Sequence, residues 1–247
     1  MNAAPADQIR LLDVQDLDVR LQQIAHKRRS LPEHAEVESL TKDLVQQRDL
    51  LVAAQTEESD CAREQTKAEQ DVDQVRRRAT RDQQRLDSGA VTSPKDLESL
   101  QREIVSLAKR QGDLEDIVLE VMERRESAQE RVAELTDRVA TVQGRIDEVT
   151  ARRDTALGEL DAEAASVTKK REVVAAAVPA DLMKLYDRLR EQQGGVGAAK
   201  LFQRTCQGCR QELAITELSE IRSAAPDTVV RCENCRRILV RTADSGL

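Results

Sequence analysis

The segment Asp87-Ser88-Gly89-Ala90-Val91-Thr92-Ser93-Pro94 decides the fold, because it separates two long heptad patterns. Gly89 can end a helix in the left-handed conformation. Ser93 can cap a new helix, and Pro94 suits the first helical position. The sequence therefore predicts a helix-to-helix turn at residues 87–94, which we call the tip.

The patterns on either side of the tip predict two helices that pair with each other. Mostly apolar residues alternate steps of three and four from Val37 to Leu86, and again from Leu97 to Val167. This is the heptad spacing of a coiled coil, and we call each line of such residues a seam. Helices joined by so short a turn must lie antiparallel. Polar residues in the first seam cost stability but can fix register; they are Gln47, Glu58, Gln65 and Asp82.

The composition also favours long helices over a thick globular core. Charged residues make up 34% of the chain and aromatic residues 1%, with no Trp. The net charge of -7 gives no general attraction to nucleic acid or anionic lipid. The first residues lack a signal-peptide pattern, and the chain has no apolar run of 18 residues. We expect no membrane partner and no small-molecule substrate.

Prolines and glycines divide the chain into three parts. Residues 1–178 are predicted to form the hairpin, with a kink near residues 30–32 because Pro32 disfavours a continuous helix. The segment before the kink, with an apolar stripe at Leu17, Leu21 and Ile24, is expected to pack beside the far end of the second helix. Residues 179–197 are predicted to be a short helix and a flexible glycine-rich joint, followed by a small domain at residues 198–247.

Four cysteines in that last domain predict a metal site. Cys206 and Cys209 form one C-x2-C pair, and Cys232 and Cys235 form another. Two such turns can hold one Zn²⁺ in a closed tetrahedral set of four thiolates. We expect the zinc to be structural, because so few large side chains cannot supply a core without it. Cys61 is expected to be a buried, inert seam residue.

Short β-prone runs flank both cysteine pairs, which is typical of a zinc ribbon. They lie at residues 200–204, 229–231 and 238–241, and a short helix is predicted at residues 216–224. The predicted fold is mainly α: a long antiparallel coiled-coil helical hairpin with a small C-terminal β zinc ribbon. Because metal-ligating cysteines favour a reducing compartment, the predicted location is the cytoplasm.

The chain resembles the bacterial family of coiled-coil hairpin proteins with a C-terminal C4-type zinc ribbon. The stretches that carry this resemblance are Lys95-Asp96-Leu97-Glu98-Ser99-Leu100-Gln101-Arg102-Glu103-Ile104, Leu114-Glu115-Asp116, Leu119-Glu120-Val121-Met122-Glu123, Val178-Pro179, Tyr186, the four cysteines, and Arg237-Ile238-Leu239. The resemblance implies zinc binding, no known enzymatic activity, and protein or nucleic-acid partners. In two places the chain departs from the family: Arg236 replaces a common glycine and Val240 a common tyrosine.

Two functional hypotheses remain open, neither of them enzymatic, because the chain shows no nucleophile motif and no phosphate-cradling glycine loop. In the first, the protein is an adaptor or regulator whose coiled-coil hairpin binds proteins and whose ribbon binds protein or nucleic acid. In the second, ribbon arginines contact the phosphates of DNA or RNA. The candidate contact residues are Arg204, Arg210, Arg231, Arg236, Arg237 and Arg241.

Overall fold

The computed structural model describes all 247 residues and confirms the mainly α fold. The elements in chain order are α1 Pro5–Arg29, α2 Pro32–Asp87, α3 Pro94–Ala176, α4 Ala180–Gln192, β1 Ala198–Phe202, β2 Thr205–Cys206, α5 Ile215–Ser223, β3 Val230–Arg231 and β4 Ile238–Val240. The chain divides into two compact units. We call Ala35–Thr150 the hairpin unit, and Met1–His34 with Ala151–Leu247 the ribbon unit.

The hairpin unit is an antiparallel pair formed by α2 and α3. Its deeply buried residues all belong to the predicted seams; they are Leu40, Leu44, Ala54, Cys61, Ala68 and Val72 on α2, and Leu114, Val121, Ala128, Leu135 and Val149 on α3. At the tip, Gly89 has the left-handed conformation, with φ at +69°. The heptad period therefore decides which side chains the two helices bury against each other.

Polar seam residues pair across the hairpin. Arg125 of α3 donates from Nε to Glu58 at 2.9 Å and from Nη1 to Gln65 at 3.1 Å. The bond from Arg125, and after it one from Gln129 to the same carboxylate, holds the pKa of Glu58 below its ordinary value. A shift of either helix along the other would separate these side chains. The polar positions thus fix the register of the coiled coil.

A four-stranded sheet in the order β2-β1-β4-β3 organises the ribbon unit. The central strands β1 and β4 run parallel and pair Ala198 with Ile238 and Lys200 with Val240. Each edge strand joins antiparallel, β2 to β1 and β3 to β4. The predicted strand at residues 200–204 is shifted in the structure to Ala198–Phe202, because Gln203 and Arg204 turn in left-handed conformations into β2.

The core of the ribbon unit joins helices to strands. Leu11 and Val14 of α1 pack with Leu182 and Tyr186 of α4, and Ile238 of β4 belongs to the same buried cluster. The first residues of the chain also contribute, since the backbone N–H of Ala3 donates to the carbonyl of Asp227 at 2.7 Å. Residues from both ends of the chain therefore complete one core.

One local expectation for this unit was confirmed in part, and another was wrong. Ile24 of the predicted stripe is buried, but Leu17 and Leu21 are only half-buried, and the face that α1 buries also contains Leu11 and Val14. The expected flexible joint is instead anchored: Gln15 of α1 accepts from the N–H of Gly197 at 2.7 Å and donates to the carbonyl of Gly195 at 3.2 Å. Helix α1 lies against this segment, which the glycine content alone could not indicate.

Candidate metal centre

Two similar turns bring the four cysteines together. The N–H of Arg210 donates to the carbonyl of Cys206 at 2.7 Å, and the N–H of Arg236 donates to the carbonyl of Cys232 at 2.8 Å. Both arginines have left-handed backbones, with φ at 59° and 63°. We call these turns the first and second knuckle, at residues 206–210 and 232–236.

The spacing of the sulfurs fits a tetrahedral zinc site. All four Sγ atoms lie within 4.8 Å of one another, and the pairs Cys206–Cys235 and Cys209–Cys232 are each 3.9 Å apart. Zn–S bonds of about 2.3 Å in a tetrahedron place the sulfurs about 3.8 Å apart. The four thiolates would fill every coordination position of the ion. The cysteines therefore form a closed site for one structural Zn²⁺.

Burial makes ionisation of the thiols in this cluster unfavourable unless a cation is bound. Burial, the largest influence, raises the pKa of Cys206 to about 11 and also raises the pKa of Cys232. Burial acts in the same sense on Cys235, but hydrogen bonds from the backbone and side chain of Arg237, together with those from Cys232 and Cys209, outweigh it and lower the pKa of Cys235. Zinc binding replaces the thiol protons, so bound metal stabilises buried thiolates.

Two of the predicted contact arginines bind main-chain carbonyls within the ribbon unit. Arg237 donates to the carbonyls of Gln193, Val196 and Gly208 at 2.8 to 3.2 Å. Arg241 donates to five backbone carbonyls, those of Ile221, Ala224, Ala225, Pro226 and Thr228. Both guanidinium groups are engaged within the fold of the ribbon unit.

The other four predicted arginines differ in how far their charges are engaged. Arg204 forms an ion pair with Glu212 at 3.1 Å, and Arg231 donates from Nε to the carbonyl of Arg236 at 3.0 Å. Arg210 and Arg236 are exposed and have no acidic partner. The structure thus leaves one exposed, unpaired arginine at each knuckle.

A buried polar cluster escaped the sequence reasoning. Asp18 of α1 is 1% exposed and accepts hydrogen bonds from Arg171, Tyr186 and Arg190 at 2.7 to 3.2 Å. We call these four residues the Asp18 cluster. A usable signal was present, since polar residues occupy positions 8, 15 and 18 at helical spacing on the face that also carries Leu11.

A second missed residue supports the metal site directly. Glu217 of α5 is 5% exposed, and its Oε1 accepts the backbone N–H of Glu233 at 3.0 Å. Glu233 lies inside the second knuckle, between Cys232 and Cys235. The carboxylate therefore links α5 to the turn that carries two of the ligands. Cys61, by contrast, is buried in the hairpin seam, as its position predicted.

None of the helices combines the length and apolarity that a membrane span requires. The largest of them, α2 and α3, carry charged residues along their whole length. The features that define this molecule are therefore a coiled-coil hairpin and a zinc ribbon with four thiolate ligands.

These features place the chain in a class, that of coiled-coil hairpin proteins with a C-terminal zinc ribbon. Residues 14–194 match the CT398-like coiled coil hairpin domain, and residues 205–239 match the C4-type zinc ribbon domain. The chain belongs to the CT398-like coiled-coil hairpin family.

Solved structures from three bacteria have the same fold. A Mycobacterium smegmatis protein is 34% identical with a TM-score of 0.86, and the match covers 98% of this chain and all of that one. CT398 from Chlamydia trachomatis is 16% identical with a TM-score of 0.69, covering 96% of this chain and 98% of that chain. HP0958 from Helicobacter pylori is 15% identical with a TM-score of 0.51, covering 97% and 98%. The last two show likeness of fold alone.

Curated relatives match over a shorter stretch. The uncharacterized proteins MT2288 and Rv2229c of Mycobacterium tuberculosis are each 40% identical over 74 residues. The match spans 30% of this chain and 30% of each relative.

Proposed function

We propose that the protein is a non-enzymatic, cytoplasmic adaptor whose hairpin binds protein partners and whose zinc ribbon forms a second contact surface. The observation that carries the proposal is the closed set of four thiolates, with sulfurs 3.9 Å apart in two pairs. A zinc site without an open position holds a fold together and does not activate water or substrate. Zinc-bound thiolates also require a reducing compartment, which supports the cytoplasm.

The ribbon supports an adaptor role because the metal holds a specific surface in place. Each knuckle places an exposed arginine, Arg210 or Arg236, beside a zinc ligand. Zinc closes the two turns on each other, so the same ion that completes the small core also orders these side chains. Loss of zinc would therefore remove this surface without touching residues 35–150.

The hairpin supports a protein-binding role through its exposed apolar side chains. Leu119 and Met122, one turn apart on α3, are 58% and 45% exposed. On α2, Val45 and Val52 are more than half exposed and lie two turns apart. Apolar anchors at helical spacing are the groups that partner helices and grooves recognise. We propose that these positions take part in contacts with protein partners.

A crosslinked pull-down tests the adaptor proposal. The tagged, zinc-loaded protein is recovered from extract of its native cells, and half of each sample is treated with nuclease. We expect specific proteins to persist after nuclease. Capture that is lost from the Leu119→Glu/Met122→Glu variant, but kept by the Cys232→Ser variant, would assign the partners to the hairpin. Partners that vanish with nuclease would contradict the proposal.

A second candidate function is binding of nucleic acid by the ribbon, favoured by the exposed and unpaired Arg210 and Arg236. Phosphate contacts by arginine produce a steep dependence of affinity on salt. We expect the Arg210→Gln/Arg236→Gln variant to lower that dependence by about 2 in the slope of log K against log salt. The matched control is Arg188→Gln/Arg222→Gln, which removes two exposed arginines of the same unit. An equal effect of both variants would exclude a specific role for the knuckles.

A further inference from the structure

The end of the hairpin unit near the tip differs in charge from the chain as a whole. Residues 74–112 contain nine basic and five acidic residues, whereas the whole chain has a net charge of -7. The excess of positive charge is therefore local and lies on either side of the tip. None of the basic residues in this range is among the contact residues that the sequence analysis predicted.

Six of these basic residues form two straight rows. They are Arg77, Arg81 and Arg85 on α2, and Lys95, Arg102 and Lys109 on α3, and we call them the turn-end band. Spacings of four and of seven residues keep each row on one side of its helix. All six side chains are exposed; Arg85 borders the seam, and the other five lie away from the seams. Each helix thus presents a row of cations to solvent.

The band makes few ion pairs with the acidic residues nearby, although Arg85 shares a groove with Asp82, Asp96 and Glu103. Arg78, which is not part of the band, forms ion pairs with Glu103 at 2.5 Å and with Asp82 at 3.9 Å. Within the band, one long ion pair joins Arg77 to Asp73 at 3.9 Å, with both side chains more than half exposed. Arg81 and Arg102 make contacts only with carbonyl oxygens of their own helices. The cationic groups therefore remain available to a partner.

The neighbours of the band fit a phosphate backbone better than a protein surface. A groove on α2 beside Arg77 and Arg81 is lined otherwise by Gln70, Asp73, Gln74, Arg76 and Thr80. Between residues 74 and 112, Val105 is the one strongly exposed large apolar side chain. Protein interfaces centre on clusters of aromatic or aliphatic anchors, and a single exposed valine does not form such a cluster. Arg, Lys, Gln and Thr are the side chains that contact phosphate oxygens.

We propose that the turn-end band binds the phosphate backbone of a nucleic acid without sequence preference. The inference goes beyond the proposed adaptor function, since it concerns neither the ribbon arginines nor the apolar positions of the hairpin. The band would dock the hairpin on a nucleic acid through charge, with the Gln and Thr side chains adding hydrogen bonds. Its specificity would be for the polyanion and not for the bases.

The test measures binding of the full-length, zinc-loaded protein to a fluorescent mixed-sequence duplex DNA and to a duplex RNA across a salt series. The Arg77→Gln/Arg81→Gln/Arg85→Gln variant should bind at least about tenfold more weakly at low salt and lower the salt slope by about 3. The matched control, Arg131→Gln/Arg138→Gln/Arg145→Gln, changes net charge equally on α3 of the same unit and should keep most of the affinity. Circular dichroism should show equal helix content in all three proteins.

The outcomes separate this inference from the alternatives. Equal weakening by both triple variants would show a general charge effect and overturn it. Failure of the unaltered protein to bind either nucleic acid, or binding to poly-glutamate alone, would also overturn it. Loss of binding in the Arg210→Gln/Arg236→Gln variant, with the turn-end variant unaffected, would assign nucleic acid to the ribbon instead. The adaptor proposal is tested separately, by the protein partners captured after nuclease treatment.

Discussion

The hydroxyl of Tyr186 donates a 2.7 Å hydrogen bond to Asp18, joining α4 to α1 across 168 residues of chain. Both side chains are at most 1% exposed, and Asp18 also forms ion pairs with Arg171 and Arg190. A buried carboxylate is tolerable only because donors surround it. This cluster therefore locks the first helix to the segment that leads into the ribbon.

Removal of the carboxylate should be much more damaging than removal of the hydroxyl. Asp18→Ala leaves Arg171 and Arg190 without their buried partner and should lower the free energy of unfolding by about 3–5 kcal/mol. Tyr186→Phe loses one hydrogen bond to a charged group and should cost about 1.5–3 kcal/mol. Denaturant unfolding measures both. Asp181→Ala, which removes an exposed acid of α4, is the control, and an equal loss there would refute the role of the Asp18 cluster.

Tyr186 gives the protein a measurable alkaline transition. Burial, and after it the bond to Asp18, raises the pKa of Tyr186 well above its ordinary value of 10. The folded state keeps a proton that the unfolded chain releases above about pH 10. The stability from this group is therefore complete below pH 10 and is lost progressively as pH rises beyond it.

The single tyrosine makes that titration easy to read, because the chain has no Trp and no second Tyr. Ultraviolet absorbance should show no phenolate in the folded protein at the pH where the denatured chain ionises. In the native protein, phenolate absorbance should appear only together with unfolding as the pH is raised. Tyr186→Phe should flatten the decline in stability above pH 10. Phenolate formation at the ordinary pKa with the fold intact would contradict the buried geometry.

Arg236→Gly should stabilise the ribbon. Arg236 has φ at 63°, a conformation that costs a non-glycine residue about 1–2 kcal/mol and glycine almost nothing. After allowance for the freer unfolded chain, we expect a gain of about 1 kcal/mol, or about fivefold in zinc affinity. Competition with a chelator measures this. Arg237→Gln, which loses bonds to three carbonyls, is the comparison and should weaken zinc binding.

Zinc should be essential to the ribbon and dispensable to the hairpin unit. We expect one Zn²⁺ per chain, lost in Cys232→Ser and retained in Cys61→Ser, with metal analysis as the measurement. Chelation should open residues 198–247 to proteolysis and leave most of the helical circular dichroism. Because zinc binding displaces protons from thiols such as Cys206, whose pKa burial raises to about 11, affinity should fall as pH falls. Stoichiometric zinc in Cys232→Ser would disprove the site.

The sequence was sufficient for the hairpin and the metal ligands, because each rests on local spacing. Every deeply buried hairpin residue, such as Leu44 or Leu135, lies on a predicted seam. The four cysteines needed only two short turns to be predicted together. The two pairs could be assigned to one site because a tetrahedral ion takes four ligands and each pair supplies two.

What the sequence did not reveal depends on contacts between distant segments. Gln15 and Asp18 are polar residues on a helix, and only the packing of α4 and β1 shows that they are buried. Arg237 and Arg241 resembled contact residues because no acidic partner for them could be read from the sequence. Their acceptors are backbone carbonyls, which every residue has and which no sequence pattern marks. Sequence patterns record side-chain chemistry, whereas these arginines recognise the path of the main chain.

The bond between Ala3 and Asp227 sets an order of events during synthesis. Residues 35–150 can pair as soon as both arms of the hairpin have left the ribosome. The opening residues must wait for the segment around Asp227, and closing that loop carries an entropic cost. Helix α1 can pack against α4 earlier, but the strands of the ribbon that complete its core come later. Until then the apolar face of α1 has no ribbon to cover it. The nascent chain would thus be exposed to chaperones at its beginning for as long as its end is unmade.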